Sequence, residues 1–449
     1  MADINPTQIA TQLANLYVQQ AQQRLTTQNS TTKARSDGLS KLQSTLQDFR
    51  SSLTTLSGKK SMVAMSAGLS LSDAGTVSAS GTAQAGSYSL FVEQLASAQQ
   101  LAYDVSSATT GGSLTVSLGS DSFSVNLATA DRDGDSSLST SEIALAINQS
   151  TGNAGKISAM VVTANGSSRL VLSSAKTGAA NTISVDASQV TDASLKDAFT
   201  DPAKRLELSA AHDAKVWLGA AKGSGVLMQQ ASNTFTAIDG VTMTFSRAMS
   251  AGESLTLNVA RSDSDTAGNV QNFVDAYNTM LKSLDSLTVA GVADKNQKAG
   301  PFATDAGVRS LRDHLNTLIR QSFGGVRLSD LGITASRDGT LALDRTKLDK
   351  LLANQPTALD GFFSGDNANG LIKQAGSYLD KWLNASSGLI TQRKDSAQRM
   401  QKDLDAQQTR IDSQYDLAYK RYLTQYSQLQ TMQSQMSQTL DSLNNYFGQ

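Results

Sequence analysis

The stretch IDSQYDLAYKRYLTQYSQLQTMQSQMSQTLDSL, residues 411–443, decides how the rest of the chain is read. Tyr415, Tyr422, Leu429, Met436 and Leu443 recur every seven residues. A second row, Ile411, Ala418, Gln425, Met432 and Thr439, falls between them, which is the 4-3 spacing of a coiled-coil seam. No Pro or Gly interrupts the run until Gly448. The seam is poor in apolar surface, since Gln425 and Thr439 sit in it and its tyrosines carry hydroxyls. Such a helix needs partners.

The other end of the chain matches it. Asn5-Pro6-Thr7-Gln8 is a helix start, with Asn5 able to cap and Pro6 at the first helical position, where its missing N–H is no loss. Helical spacing then runs to about Leu56. Ile9, Leu13, Leu16 and Leu25 form a sparse stripe, and Leu39, Leu42, Leu46, Phe49, Leu53 and Leu56 form a regular one. Two long seamed helices at the two termini predict one antiparallel leg, with everything else inserted at its far end.

Between them the period changes. Thr76–Ala79 and Ser87–Val92 alternate small polar with apolar residues, as strands do. Leu95, Ala98 and Leu101 suggest a short helical or irregular passage. A second strand-rich block follows, with Leu114–Leu118, Phe123–Leu127, Val161-Val162, Leu170–Leu172 and Ile183–Val185, and a helix from Glu142 to Asn148. Gly119-Ser120-Asp121 and Asn165-Gly166 mark turns. Beyond Pro202, Val241–Phe245 and Leu255–Val259 complete the first block, so the second is expected as a domain within a domain. Helical spacing returns from Val270 to Leu284 and from Val308 to Leu318. Asp338-Gly339 then signals a hairpin.

The expected class is therefore multidomain α+β. Residues 1–40 plus 405–449 make a terminal helical leg, and 41–72 plus 264–404 a helical bundle with a β-hairpin. Residues 73–105 plus 205–263 make one β-rich head domain, and 106–204 a second inserted in it.

Composition narrows the function. With 38 basic and 39 acidic residues the formal charge is −1, and no run of like charge points to nucleic acid or an anionic membrane. Cysteine is absent, which removes disulfides, thiolate metal sites and a thiol nucleophile together. The first residues show neither a basic segment nor an apolar core of a leader, and no apolar run is long enough to span a bilayer. A cytosolic chain, or one exported without a cleaved leader, is the expectation. His212 and His314 have no partner at catalytic spacing, Trp217 and Trp382 read as packing residues, and no nucleophile and base stand together, so no enzyme is expected.

One local motif carries chemistry. Residues 131–142, DRDGDSSLSTSE, place Asp131, Asp133, Asp135 and Glu142 at loop positions 1, 3, 5 and 12, the ligand spacing of a calcium loop. The Ser137 carbonyl would be a further oxygen ligand, with Ser139 or a water at position 9. Position 6 is Ser136, where the motif prefers glycine, and strand pattern rather than helix precedes the loop. The alternative is an exposed Asp-rich turn that caps the following helix; no cofactor is otherwise required.

Several pieces together resemble the bacterial flagellar filament cap family, hook-associated protein 2 or FliD. They are the Gly-rich strand pair of Thr76–Leu101 with Gln94-Leu95-Ala96-Ser97-Ala98-Gln99, then Phe273-Val274-Asp275-Ala276-Tyr277-Asn278, Leu331-Gly332-Ile333, Asp338-Gly339-Thr340-Leu341 and Lys347-Leu348-Asp349. The pieces occur in family order over most of the chain. The resemblance implies a structural protein that passes through the flagellar type III export apparatus with an export chaperone. It further implies a ring homo-oligomer at the extracellular tip, which helps arriving flagellin fold into the filament. Adhesion to host or surface glycans is a second role it implies. Ile411, Tyr415, Ala418, Tyr422, Leu429, Met432, Met436 and Leu443, with Leu39, Leu42, Leu46, Phe49 and Leu53, are then the candidate interaction seam. Tyr415 through Leu443 are expected to face the N-terminal helix and, in the assembled state, the filament end.

Overall fold

The computed structural model describes residues 5–164, 166–291, 298–364 and 369–448, and the chain divides into two compact units. Asn165, half of one expected turn, lies outside the described residues.

The helical unit comprises Met1–Met62 and Thr266–Gln449. Helix α1, Pro6–Gly58, starts as the sequence predicts: the Asn5 side chain accepts the Gln8 N–H at 3.2 Å and Pro6 occupies the first turn. At 1.5 Å per residue α1 is about 80 Å long. Its second half is a core element. Leu39, Leu42, Leu46, Phe49, Leu53 and Leu56 are all buried; α1 packs against α8 (Leu371–Leu383) and meets α4 (Asp263–Thr288), while α5 (Ala306–Leu318) and α7 (Thr357–Phe363) pack on α8. Phe49 meets Tyr277 edge-on at 6.2 Å, and Phe273 meets Phe363 at 5.0 Å. Gly38 permits this packing, since a Cβ there would stand 2.7 Å from Pro301 Cγ.

The end of α1 is held from two sides. Asp360 accepts the Met62 N–H at 2.6 Å and the Ser61 hydroxyl at 2.7 Å. Buried Asn269 donates to the Met62 carbonyl at 3.0 Å and accepts from Lys59 Nζ at 2.7 Å. The expected hairpin forms as β18 (Ile333–Ala335) and β19 (Leu341–Leu343), with Gly339 at φ 89°. Asn278 of α4 bonds both the N–H and the carbonyl of Leu341 at 2.8 Å, fixing the hairpin to the bundle. Helix α6, Arg345–Asn354, follows, and α9, Leu389–Phe447, closes the unit.

The β-rich unit spans Val63–Asp265. Its strands begin with β1 (Ala64–Leu69), β2 (Gly75–Ala79), β3 (Gly86–Gln94) and β4 (Ala98–Tyr103). Then come β5 (Ala108–Thr109), β6 (Ser113–Leu118), β7 (Asp121–Asn126) and β8 (Ser137–Leu138), the helix α2 (Thr140–Gln149), β9 (Ile157–Ala164), β10 (Ser167–Thr177) and β11 (Ile183–Asp186). After α3 (Ala193–Thr200) follow β12 (Arg205–Ser209), β13 (Ala214–Leu218), β14 (Val226–Gln230), β15 (Thr234–Phe235), β16 (Val241–Phe245) and β17 (Leu255–Ser262).

Every pairing is antiparallel. A five-stranded sheet has the order β1-β17-β3-β13-β14, and β15-β16-β2 forms a second sheet. These enclose one core, centred on Leu90, Val92, Val216, Met243 and Leu257. The sheets β12-β4-β10-β9 and β11-β6-β7 enclose a separate core with Ile143 and Ile147 of α2 and Leu195 of α3. Of Leu95–Leu101, expected as helical or irregular, the first residues are irregular, but β4 begins at Ala98 and pairs with both β10 and β12. The apolar spacing there fits either period. Leu101 and Tyr103 share one strand face and enter the core, and Tyr103 lies 5.0 Å from the Phe199 ring.

Candidate functional site

Two places carry the residues that the sequence singles out. The first is the loop from β7 to α2. Asp131, Asp133 and Glu142 each bring a carboxylate oxygen within 4.8 Å of the others. Asp131 accepts the Gly134 N–H at 2.7 Å and the Ser136 N–H at 2.9 Å, which wraps the loop around its carboxylate. Ser136 takes φ 65°, the left-handed conformation that position 6 of a calcium loop demands, although it is not glycine. Asp135 stays outside the group and accepts from the Ser137 N–H at 2.7 Å.

Glu142 has a second role that the pattern Ser139-x-x-Glu142 contained. Ser139 is the N-cap of α2 and Glu142 its third residue, a reciprocal capping box. Glu142 accepts the Arg132 N–H at 2.7 Å, the Ser139 N–H at 2.9 Å and the Ser139 hydroxyl at 2.8 Å. Those donors, the Arg132 N–H first, pull its carboxyl down to about 2. Asp133 moves the other way. The Asp135 N–H lowers it, but desolvation and the charges of Asp135, Glu142 and Asp131 together raise it. Three crowded carboxylates, one of them raised by its neighbours, form an oxygen-rich site suited to a hard cation. The far end of α2 is tied to β9 by buried Asn153, which donates to the Ile147 and Ile157 carbonyls at 3.1 and 2.8 Å and accepts the Ile157 N–H at 2.9 Å.

The second place is the leg, where α1 and α9 run antiparallel. Val18, Leu25, Leu404 and Ile411 are its buried cluster, joined by Ala21 and Tyr415. Between them lie polar rungs. Gln22 and Gln408 bond each other reciprocally at 3.0 and 3.2 Å, and Gln401 donates to Asn29 at 3.3 Å. Such pairs fix register while adding little net stability. Arg421 lies over the rings of Tyr17, at 5.8 Å, and Tyr422, at 4.8 Å.

The buried row of α1 is the expected one only in part, since Leu25 is buried and Ile9 and Leu13 half-buried. Ala10, Ala14, Val18 and Leu25 are covered, whereas Leu16 is 64% exposed. Small residues let the helices approach closely, and the larger ones are displaced to the flanks.

The expectation that Tyr415 through Leu443 face the N-terminal helix is also corrected. Ala418 is the last buried residue of α9, Tyr422 is half-buried, and among the described side chains none beyond it is buried. Leu429 and Leu443 are each 45% exposed, Met436 is 58% and Met432 63%. Length accounts for the far part: Tyr17 lies level with Arg421, α1 reaches only to Pro6 and α9 continues to Phe447, so the end of α9 outruns α1. Charge changes at the same level. Charged residues recur from Arg393 to Arg421, after which only Asp441 follows, and α1 carries none between Pro6 and Gln23.

Two family models match the chain, the N-terminus of flagellar hook-associated protein 2 over residues 2–99 and its C-terminus over residues 211–438. The chain belongs to the flagellar hook-associated protein 2 family. The lateral flagellar hook-associated protein 2 of Vibrio parahaemolyticus is 35% identical, over 98% of this chain and 99% of that protein. The B-type protein of Pseudomonas aeruginosa is 31% identical over 97% and 94%. Among solved structures, domains of the flagellar cap protein FliD from Escherichia coli superpose with a TM-score of 0.64 at 25% identity, covering 80% of this chain and 99% of that one.

The remaining candidates have structural places. Leu39, Leu42, Leu46, Phe49 and Leu53 lie inside the helical bundle. Trp217 donates its indole N–H to Glu93 at 2.7 Å, Trp382 is buried beneath Arg393, and His314 stacks on Tyr378 at 3.9 Å. Among the described residues no helix is long and apolar enough to cross a membrane.

Proposed function

We propose that this chain is the structural, non-enzymatic cap of a bacterial flagellar filament, acting as a ring of copies at the extracellular tip where flagellin is incorporated and folds. Family membership across nearly the whole chain supports this reading. The observation that supports it further is the distal leg, an amphipathic helix whose uncharged Leu and Met stripe is about half exposed. A lone helix of this composition is marginal in water and is ordered by packing. The stripe from Leu429 to Leu443, with Met432 and Met436, is therefore assigned to the filament end or adjacent copies. Export through the flagellar type III apparatus, with a chaperone holding the chain before assembly, belongs to the same reading. The leg (1–40 plus 405–449), the bundle (41–72 plus 264–404), the first head domain (73–105 plus 205–263) and the inserted one (106–204) are its working parts. Deleting the gene should abolish motility and release unpolymerised flagellin into the medium, with rescue by the full chain; normal filaments on the deletion strain would overturn the assignment.

A second reading concerns the loop of residues 131–142, for which we propose calcium as ligand. The left-handed Ser136 and the crowding of Asp131, Asp133 and Glu142 support it. The Ser137 carbonyl would add to the proposed shell, and Asp135, which lies outside the group and accepts from the Ser137 N–H, would have to turn inward to join it. Titration calorimetry of the full chain should show calcium binding that Asp131→Ala removes. Absence of heat at millimolar calcium leaves the loop as a capped turn.

A further inference from the structure

The two cores of the β-rich unit have no buried residue in common among the described residues, so the angle between them is set at the joint where the chain crosses from one to the other. Two segments cross it. Residues 95–97 lead from β3 into β4, and residues 210–213 return from β12 to β13. One isolated antiparallel bridge joins them: the Ser97 N–H donates to the His212 carbonyl at 3.0 Å and the His212 N–H to the Ser97 carbonyl at 3.3 Å. A crossing of two strands with so little pairing bends and twists readily, and two cores linked in this way move relative to each other unless something else holds them.

A third element straddles the joint, the turn of residues 177–181 between β10 and β11. Its backbone belongs to the second core. Thr177 pairs with Ala98, the Gly178 N–H donates to the Ser97 carbonyl at 3.1 Å, and the Asn181 side chain donates to the Thr177 carbonyl at 2.7 Å. Its other contacts reach the sheet of the first core. The Thr177 hydroxyl donates to the Ala231 carbonyl, and the Ala179 N–H donates to Asp213 Oδ1 at 2.8 Å. Asp213 Oδ2 accepts Gln229 Nε2 at 2.9 Å. These donors, Gln229 first, hold the Asp213 carboxyl below the ordinary carboxylate range, so both bonds end on an ionised acceptor. Gly178 lies hard against Ala231: it takes φ 108°, and a Cβ there would stand 2.3 Å from Ala231 Cβ.

The crossing segments are themselves pinned on the first-core side. Asn233 accepts the Ala96 N–H at 2.7 Å and donates to the Ala96 carbonyl at 3.1 Å, and Gln94 donates to the Asp213 carbonyl at 2.9 Å. That leaves the bridge of Ser97 and His212 as the pivot and the turn beside it as the contact that resists rotation. We propose that residues 177–181 form a clasp that locks the angle between the two cores, and that opening it lets the second core swing about Ser97 and His212.

The chain has no cysteine, so spin labels can be placed by Thr242→Cys on β16 and Lys196→Cys on α3, both exposed and outside the joint. Double electron–electron resonance on the purified full chain should give a narrow distance distribution. Thr177→Val with Asp213→Ala, which removes the side-chain bonds of the clasp and leaves its backbone, should roughly double the width, as release of a hinge does, and Gly178→Val, which forces the turn off Ala231, should do the same. Val125→Ala is the control. Val125 is buried in the second core, so the change lowers stability without touching the clasp, and the distribution should stay narrow. A broad distribution in the parent chain would overturn the proposal, as would an unchanged width in either clasp variant. Equal broadening in Val125→Ala would overturn it too, by tying the width to stability rather than to the clasp. The measurement is made on the isolated chain, so its result stands apart from the flagellar assignment.

Discussion

Replacing Leu429, Met436 and Leu443 together by glutamate should leave the folded chain intact and destroy its assembly. In the free chain these side chains are already about half exposed, so they contribute little to folding, and surface substitutions of this kind usually fall within about 0.5 kcal/mol each. In a packed interface the picture inverts. Fully burying a Leu or Met side chain is worth about 1.5–3 kcal/mol, and roughly half of that surface remains to be covered here, giving about 1 kcal/mol per residue or about 3 kcal/mol for three. That corresponds to a loss of about two orders of magnitude in affinity, before any added desolvation of the carboxylates. Leu46→Ala provides the opposite control: Leu46 is fully buried, so the change should destabilise the bundle by about 2–5 kcal/mol. Thermal unfolding followed by circular dichroism, beside motility and secreted flagellin in a complemented deletion strain, reads both effects. The reasoning fails if the triple variant unfolds several degrees earlier, which would mean the overhang is packed within its own chain. It fails equally if the triple variant swims normally.

Gly38→Val should destabilise the helical unit by about 1–3 kcal/mol, because the added carbon enters the space of Pro301 and Phe302; an unchanged melting temperature would show that this connection yields freely. Ser136→Val should destabilise the acidic loop by about 1–2 kcal/mol through the left-handed backbone, whereas Ser136→Gly should not, and equal behaviour of the two variants would contradict that conformation. Glu142 is held below its ordinary value, so its contribution to the loop is complete above its unfolded pKa of 4.5 and is lost as pH falls through about 2. Amide exchange at Arg132 and Ser139 should accelerate across that window and do so less in Glu142→Gln.

The sequence was most legible where local chemistry and packing agree. Asn5, Pro6 and Gln8 announced the start of α1, and the regular spacing from Leu39 to Leu56 marked a face that the bundle does bury. The hairpin at Asp338-Gly339 was visible because its turn residue must take φ near 89°. Legibility failed where burial falls on small or polar residues. Strand β4 was hidden because its apolar spacing suits a helix as well, and β1, β13 and β14 alternate too weakly to stand out; β12 does alternate, with Leu206 and Leu208 between polar residues, and was passed over. The buried row of Ala10 and Ala14 escaped for the same reason, since a search for large apolar residues selects Leu16 on the exposed flank. At the acidic loop the ligand spacing could be read, but not which carboxylates converge; Asp135 is turned aside by its own bond to the Ser137 N–H.

The heptad of residues 411–443 did not reveal that it serves two different partners, because apolar period is the same for an internal and an external seam. Charge separates them. Up to Arg421, α9 lies against α1 and carries both signs, as a solvated two-helix surface does. Beyond it the stripe continues at the same spacing while the flanks become Gln, Ser, Thr and Asn. An exposed helix gains solubility from charge, so its loss over a stretch of roughly 30 Å is unfavourable for the free chain. It is favourable where the whole circumference is enclosed, because uncharged side chains avoid the desolvation that buried ions impose. The distal leg is thus built for surroundings on more than one side, which a single flanking helix does not provide.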